Sequence, residues 1–136
     1  VLLAGCTSTA PSLGGSLADL LPLEHDHLRA RAYESELSIE WVDGARSDLV
    51  VVRVTVPHDG TLPATVDLRD GGTVSTGEDL GAFPPLLDGE AAFAEVGLTD
   101  GDRVSGEFRA SFVPRDGVGH TLRGPFEATV EVMHVP

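Results

Sequence analysis

Val104-Ser105-Gly106-Glu107-Phe108-Arg109-Ala110-Ser111-Phe112 returns eighteen residues later as Leu122-Arg123-Gly124-Pro125-Phe126-Glu127-Ala128-Thr129-Val130. In both copies an apolar residue or a glycine takes every second position, a period of two that belongs to a strand rather than a helix. Val104, Phe108, Ala110 and Phe112 then share a face with Leu122, Phe126, Ala128, Val130 and Val132, while Glu107, Arg109, Glu127 and Glu131 take the other. Joined by Pro114 to His120, the two copies predict an antiparallel hairpin with one wet face. Gly106 and Gly124 fall on the apolar register, where a strand glycine marks a bend, a bulge or the close approach of another backbone.

The same period runs outward toward the N-terminus. Leu37, Ile39 and Trp41 alternate with Ser38 and Glu40, and Val50, Val52, Val54 and Val56 form the most β-branched run of the chain. Ala64, Val66 and Leu68 alternate with Thr65, Asp67 and Arg69 before the turn Asp70-Gly71-Gly72, and a weaker strand surrounds Phe93. With turn signals at Val42-Asp43-Gly44, His58-Asp59-Gly60 and Thr99 to Asp102, and no convincing helix, the pattern predicts an all-β domain. The expected architecture is an antiparallel β-sandwich of about six to seven strands, Ig-like in shape only, because the Ig spacing of Cys and Trp is absent. A small closed β-barrel is the alternative. Residues 70–90 read as the longest irregular stretch, and long loops on a rigid frame are where binding most often sits.

A chain of 136 residues holds one ordinary core, which argues against a multidomain enzyme. Nine basic residues, all arginine, face 22 acidic ones for a net charge of −13, so nucleic acid and anionic surfaces are repelled and no nucleic-acid partner is expected. The chain has no Lys, Asn or Gln, which fits either GC-rich coding or a halophilic source. Hydrophobic residues at 41%, with 16 Gly and 9 Pro, suit a turn-rich globular domain better than a disordered acidic tail.

The first residues, Val1-Leu2-Leu3-Ala4-Gly5-Cys6, are followed by the small polar run Thr7 to Ser12. Leu3-Ala4-Gly5-Cys6 resembles a bacterial lipobox: an aliphatic residue, a small residue, Gly or Ala, then the cysteine. The resemblance implies that residues 1–5 are a signal-peptide remnant, that the Cys6 thiol carries a covalent diacylglyceryl lipid, and that the mature chain starts there. The basic n-region and most of the apolar h-region of such a peptide are missing. Residues 6–24 then read as a lipid-anchored flexible tether and residues 25–136 as the β-domain. The one cysteine rules out an intramolecular disulfide. The Gly-x-Phe-x-Ala element is similar to strands of uncharacterised secreted β-domains and lipoproteins of GC-rich bacteria, a resemblance too degenerate to carry a function.

His25-Asp26-His27 is the sharpest chemical cluster. On a strand the two imidazoles share a face at a spacing that suits zinc, nickel or copper, given a third ligand from His58, Asp59, His120 or His134. Acidic turns at Asp100, Asp102 and Asp116 offer oxygens of the kind calcium prefers, although none follows an EF-hand pattern. Solvated turn residues account for both clusters without any metal. No nucleophile elbow, His-Glu-x-x-His helix or phosphate loop is present, and with 22 acidic residues some carboxylate pair is close by abundance alone.

These features predict a noncatalytic lipoprotein of a bacterial cell envelope, facing the periplasm or the exterior. It would bind the membrane through its anchor, carry no resident cofactor beyond the lipid, and serve as a binding or structural module with an envelope protein as partner. The alternative is a metal-binding envelope protein that holds a divalent cation on the histidines or acidic loops; a small hydrolase ranks third.

Overall fold

The computed structural model describes residues 13–77, 83–115 and 117–133. Leu3 to Cys6, the polar run up to Ser12, Asp116, His134 and the centre of the expected loop at 78–82 lie outside the described residues. The fold is all-β, as the alternation predicts. Its strands are β1 (His27–Ala32), β2 (Glu36–Asp43), β3 (Leu49–Pro57), β4 (Thr65–Asp67), β5 (Thr73–Ser75), β6 (Leu86–Glu95), β7 (Arg103–Arg115) and β8 (Val118–Val132).

Hydrogen bonding draws one eight-stranded sheet in the order β4-β6-β7-β8-β1-β2-β3-β5, curled into a half-barrel. Two corrections to the expected topology follow. The sheet is mixed, because β1 pairs with β8 in parallel over Ala30–Ala32 and Val130–Val132. Among the described residues it also has eight strands rather than six or seven, since β5 emerges from the stretch expected to be irregular and β6 begins within it.

The repeat builds the centre of the sheet. β7 and β8 pair with Gly106 opposite Phe126 and Phe108 opposite Gly124, so each copy's phenylalanine lies across from the other copy's glycine. A Cβ on Gly106 would collide with the Ala92 carbonyl oxygen of β6, and one on Gly124 would stand 2.8 Å from a Leu13 methyl and 3.7 Å from the Trp41 ring. The glycines therefore admit neighbours that a side chain would exclude. The hairpin turn is tighter than expected, with Arg115 already paired to Val118.

Curling brings strands together that do not pair. Trp41 of β2 packs edge-on against Phe108 of β7 at 5.1 Å and Phe126 of β8 at 6.3 Å, and Phe93 of β6 meets Phe126 at 5.6 Å. Leu37, Ile39, Val52, Val54, Val56, Val104 and Leu122 complete a core without solvent access. The two edge strands, β4 and β5, are joined by Leu68–Gly72, a connection that spans at most about 20 Å. Leu68 N donates to Gly89 O of β6 at 3.0 Å, while Gly72 lies against the Thr55 carbonyl of β3. One short turn thus steps from one half of the sheet to the other.

The stretch expected to be a free tether up to residue 24 belongs to the folded body from Leu13 onward. Gly14 and Arg123 exchange backbone hydrogen bonds at 2.8 and 2.9 Å, and Leu17 N donates to Thr121 O at 2.9 Å, covering the edge of β8 that β1 leaves open. Leu17 and Leu23 are buried in the core. Arg46 then clips the chain from outside, donating to Pro22 O and Glu24 O at 2.9 and 3.1 Å. Burial of four leucines (Leu13, Leu17, Leu21 and Leu23), wholly or in part, outweighs the Ser- and Gly-rich composition that suggested flexibility.

Candidate functional site

The residues singled out in the sequence mostly hold turns. Asp26 accepts from Gly44 N at 3.1 Å and pairs with the His27 ring at 2.5 Å. The His27 hydrogen bond, then the Gly44 amide, holds the Asp26 carboxyl below its ordinary value. His25 Nδ1 lies 3.2 Å from Leu23 O. His58 has both ring nitrogens engaged, Nε2 donating to Tyr33 O at 2.9 Å and Nδ1 accepting from Gly60 N at 3.0 Å, an arrangement that leaves no lone pair for a metal. Asp59 accepts from the Thr61 hydroxyl at 3.3 Å, Asp100 from Val132 N at 3.0 Å, and Asp102 from Thr99 N at 3.0 Å. His120 sits on β8 with a buried Nδ1 that has no hydrogen-bond partner among the described residues. Among the described residues no three His, Cys, Asp or Glu side chains gather as a metal site.

Two rows of charge cross the outer face of the sheet instead. In the first, Arg29 of β1, Glu40 of β2 and Arg53 of β3 stand directly opposite one another. Trp41 and Ile39 point into the core, so alternation turns Glu40 outward, yet its side chain is only 1% exposed, with Arg29, Arg53, Arg31 and the Ser38 hydroxyl gathered around its carboxylate. Arg29 Nε donates to Oε1 at 2.5 Å and Arg53 Nε to Oε2 at 2.7 Å. Burial pushes the Glu40 carboxyl up, but those two hydrogen bonds and the two positive charges outweigh it and hold it below its ordinary value. Arg31 stands 3.9 Å from both Glu40 and the exposed Glu131, its buried Nε without a hydrogen-bond partner among the described residues.

In the second row, Asp67 of β4, Glu90 of β6, Arg109 of β7 and Arg123 of β8 are directly opposite in turn. They line an open groove of about 680 Å³, together with Asp88, Thr65, Ser111 and Thr121, and Gly15 of the docked N-terminal segment. Its two sides carry opposite charge: three carboxylates on β4 and β6, two guanidinium groups on β7 and β8. The closest ion pair across it, Arg109 Nη2 to Glu90 Oε1, is a loose 3.6 Å with Arg109 three-quarters exposed. Arg123 has no carboxylate in ion-pair range among the described residues and faces a like charge across the hairpin.

Sequence reasoning missed both rows. It placed Arg109 on the wet face of the hairpin, but which residue stands across from it depends on the turn, and the partners on β4 and β6 depend on long-range register. Among the described residues no helix is long and apolar enough to cross a membrane. Compared with family models, curated proteins and solved structures, the chain matches none of them.

Proposed function

We propose that this chain is a noncatalytic binding module held at a bacterial cell envelope by a lipid on Cys6, with the charge-divided groove as its binding surface. The observation that carries the reading is the pairing of Gly14 with Arg123: it sets Gly14 on the groove's rim, eight residues after Cys6. Eight residues reach at most about 29 Å, so an anchor at Cys6 keeps the groove close to the bilayer surface. Acyl chains at about 0.8 kcal/mol per buried methylene are enough for that attachment. A noncatalytic role is supported by Glu40, the most deeply buried carboxylate among the described residues, which its arginines keep ionised; a general acid is shifted the other way. Contact of Trp41 with Phe108 supports a sandwich-like description of the half-barrel, its two halves meeting face to face.

The test is metabolic labelling. Expressed in a bacterium behind a complete export leader ahead of Val1 and fed an alkyne-tagged fatty acid, the chain should take up label and fractionate with membranes. Cys6→Ala should abolish both. Unlabelled protein, or label that survives Cys6→Ala, rejects the anchor.

A further inference from the structure

We infer that the groove of Asp67, Glu90, Arg109 and Arg123 binds a short extended peptide with a free ammonium group at one end and a free carboxylate at the other. The inference rests on the groove being the binding surface and is independent of the lipid at Cys6. Like charges directly opposite on a hairpin repel, and a chain with 22 acidic residues has ample means to pair or replace either arginine. Arg109 and Arg123 nevertheless face each other, the second with no carboxylate partner among the described residues. Two guanidinium groups beside Ser111 and Thr121, whose Oγ1 accepts from Ser16 N at 3.3 Å and keeps its own proton to donate, form a receptor for an oxyanion.

The opposite side, Asp67, Asp88 and Glu90, suits a cation. Asp67 and Asp88 each commit an oxygen to a local backbone amide, Asp67 to Arg69 N at 2.9 Å and Asp88 to Gly89 N at 3.0 Å, which fixes the carboxylates in place. Spacing selects the ligand. From the midpoint of Asp67 and Glu90 to that of Arg109 and Arg123 is two strand separations, about 10 Å. A single amino acid, its charges about 3.5 Å apart, cannot bridge that distance, whereas three extended residues do.

Trialanine is the probe, titrated into the full 136-residue chain and followed by amide chemical shifts. It should move Gly89, Ser111, Thr121 and Arg123 saturably and leave Gly60, in a distant turn, unmoved. N-acetyl-trialanine, trialanine amide and free alanine should each bind at least tenfold more weakly. Arg123→Gln and Glu90→Gln should weaken trialanine at least tenfold while the rest of the spectrum stays native, and Arg103→Gln, outside the groove, should not. Absence of saturable shifts at the peptide's solubility limit overturns the inference. So does equal binding of the capped peptides, or binding of inorganic phosphate as tight as trialanine, which would reduce the groove to an anion site.

Discussion

The two charged rows lie on the same outer surface, are built by the same in-register pairing, and differ in the order of their charges. Across β1, β2 and β3 the order alternates, arginine, glutamate, arginine, and each charge meets its opposite at 2.5 to 2.7 Å. Across β4, β6, β7 and β8 the order is acid, acid, arginine, arginine, and the one opposite-charge junction relaxes to 3.6 Å. Alternation satisfies charge within the protein, so the first row closes over its carboxylate and becomes structure. Segregation leaves charge unsatisfied at both ends, so the second row stays open to solvent and available to a ligand. What separates a structural ion cluster from a candidate site here is sequence order along a row, not the kind of residue.

Removing the centre of the closed row should have the largest effect. Glu40→Gln leaves Arg29 and Arg53 facing a neutral amide. Breaking a fully buried pair costs about 3–5 kcal/mol. Both arginines can turn toward water, being 28% and 44% exposed, so about 2 to 3 kcal/mol is expected here. Urea unfolding reads this directly, and trialanine binding should be unchanged. A loss below about 0.5 kcal/mol, the scale of an ordinary surface pair, would place the closed row in the same class as the open one.

Acid should produce a smaller version of the same loss. The Glu40 carboxyl lies below its ordinary value in the folded chain, so between the folded and unfolded values the unfolded state binds more protons. The stability this group contributes is therefore complete above the ordinary carboxylate range and disappears as pH falls through the folded value. Asp26 shifts in the same direction and adds to the trend. The gap between the wild-type chain and Glu40→Gln should narrow as pH falls through that window. A gap that is constant with pH would mean that shape rather than charge sets the Glu40 effect.

The comparison also shows how far the sequence could be read. The hairpin of β7 and β8 was legible because its signal is local: a period of two, repeated, with glycine facing phenylalanine. The all-β class followed from it. Leu28, Ala30 and Ala32 of β1 carry the same period among Arg29 and Arg31, but the strand is short and its parallel partner, β8, lies a hundred residues away. The three-residue β5 has too little sequence to show a period. Leu17 and Leu23 sat in a composition typical of linkers, and only the open edge of β8 gave them somewhere to bury. Neither row could be read, since Arg29, Glu40 and Arg53 are separated by eleven and thirteen residues and meet only through register. The histidines and acidic turns drew attention as rare or clustered types, yet the groove is made of common ones.

The smallest predicted effect tests the idea that order alone divides the two rows. Arg123→Glu changes the open row to acid, acid, arginine, acid, which sets Arg109 between two carboxylates in the mirror image of Glu40 between two arginines. Cross-strand opposite charges at exposed positions contribute about 0.2 to 1 kcal/mol, and the substitution also removes a like-charge contact. A gain of about 0.5 kcal/mol in urea is therefore expected, despite the more negative net charge, with Arg123→Gln gaining less. The gain should fade in high salt, because both partners are exposed and screened. Trialanine binding should be lost in both variants, since the oxyanion receptor is gone. A row that is more stable and binds nothing is the outcome expected of a site whose charge is kept unsatisfied for a ligand. A variant that is less stable than the wild-type chain would show that Arg123 already serves the fold, and the distinction between the rows would fail at that residue.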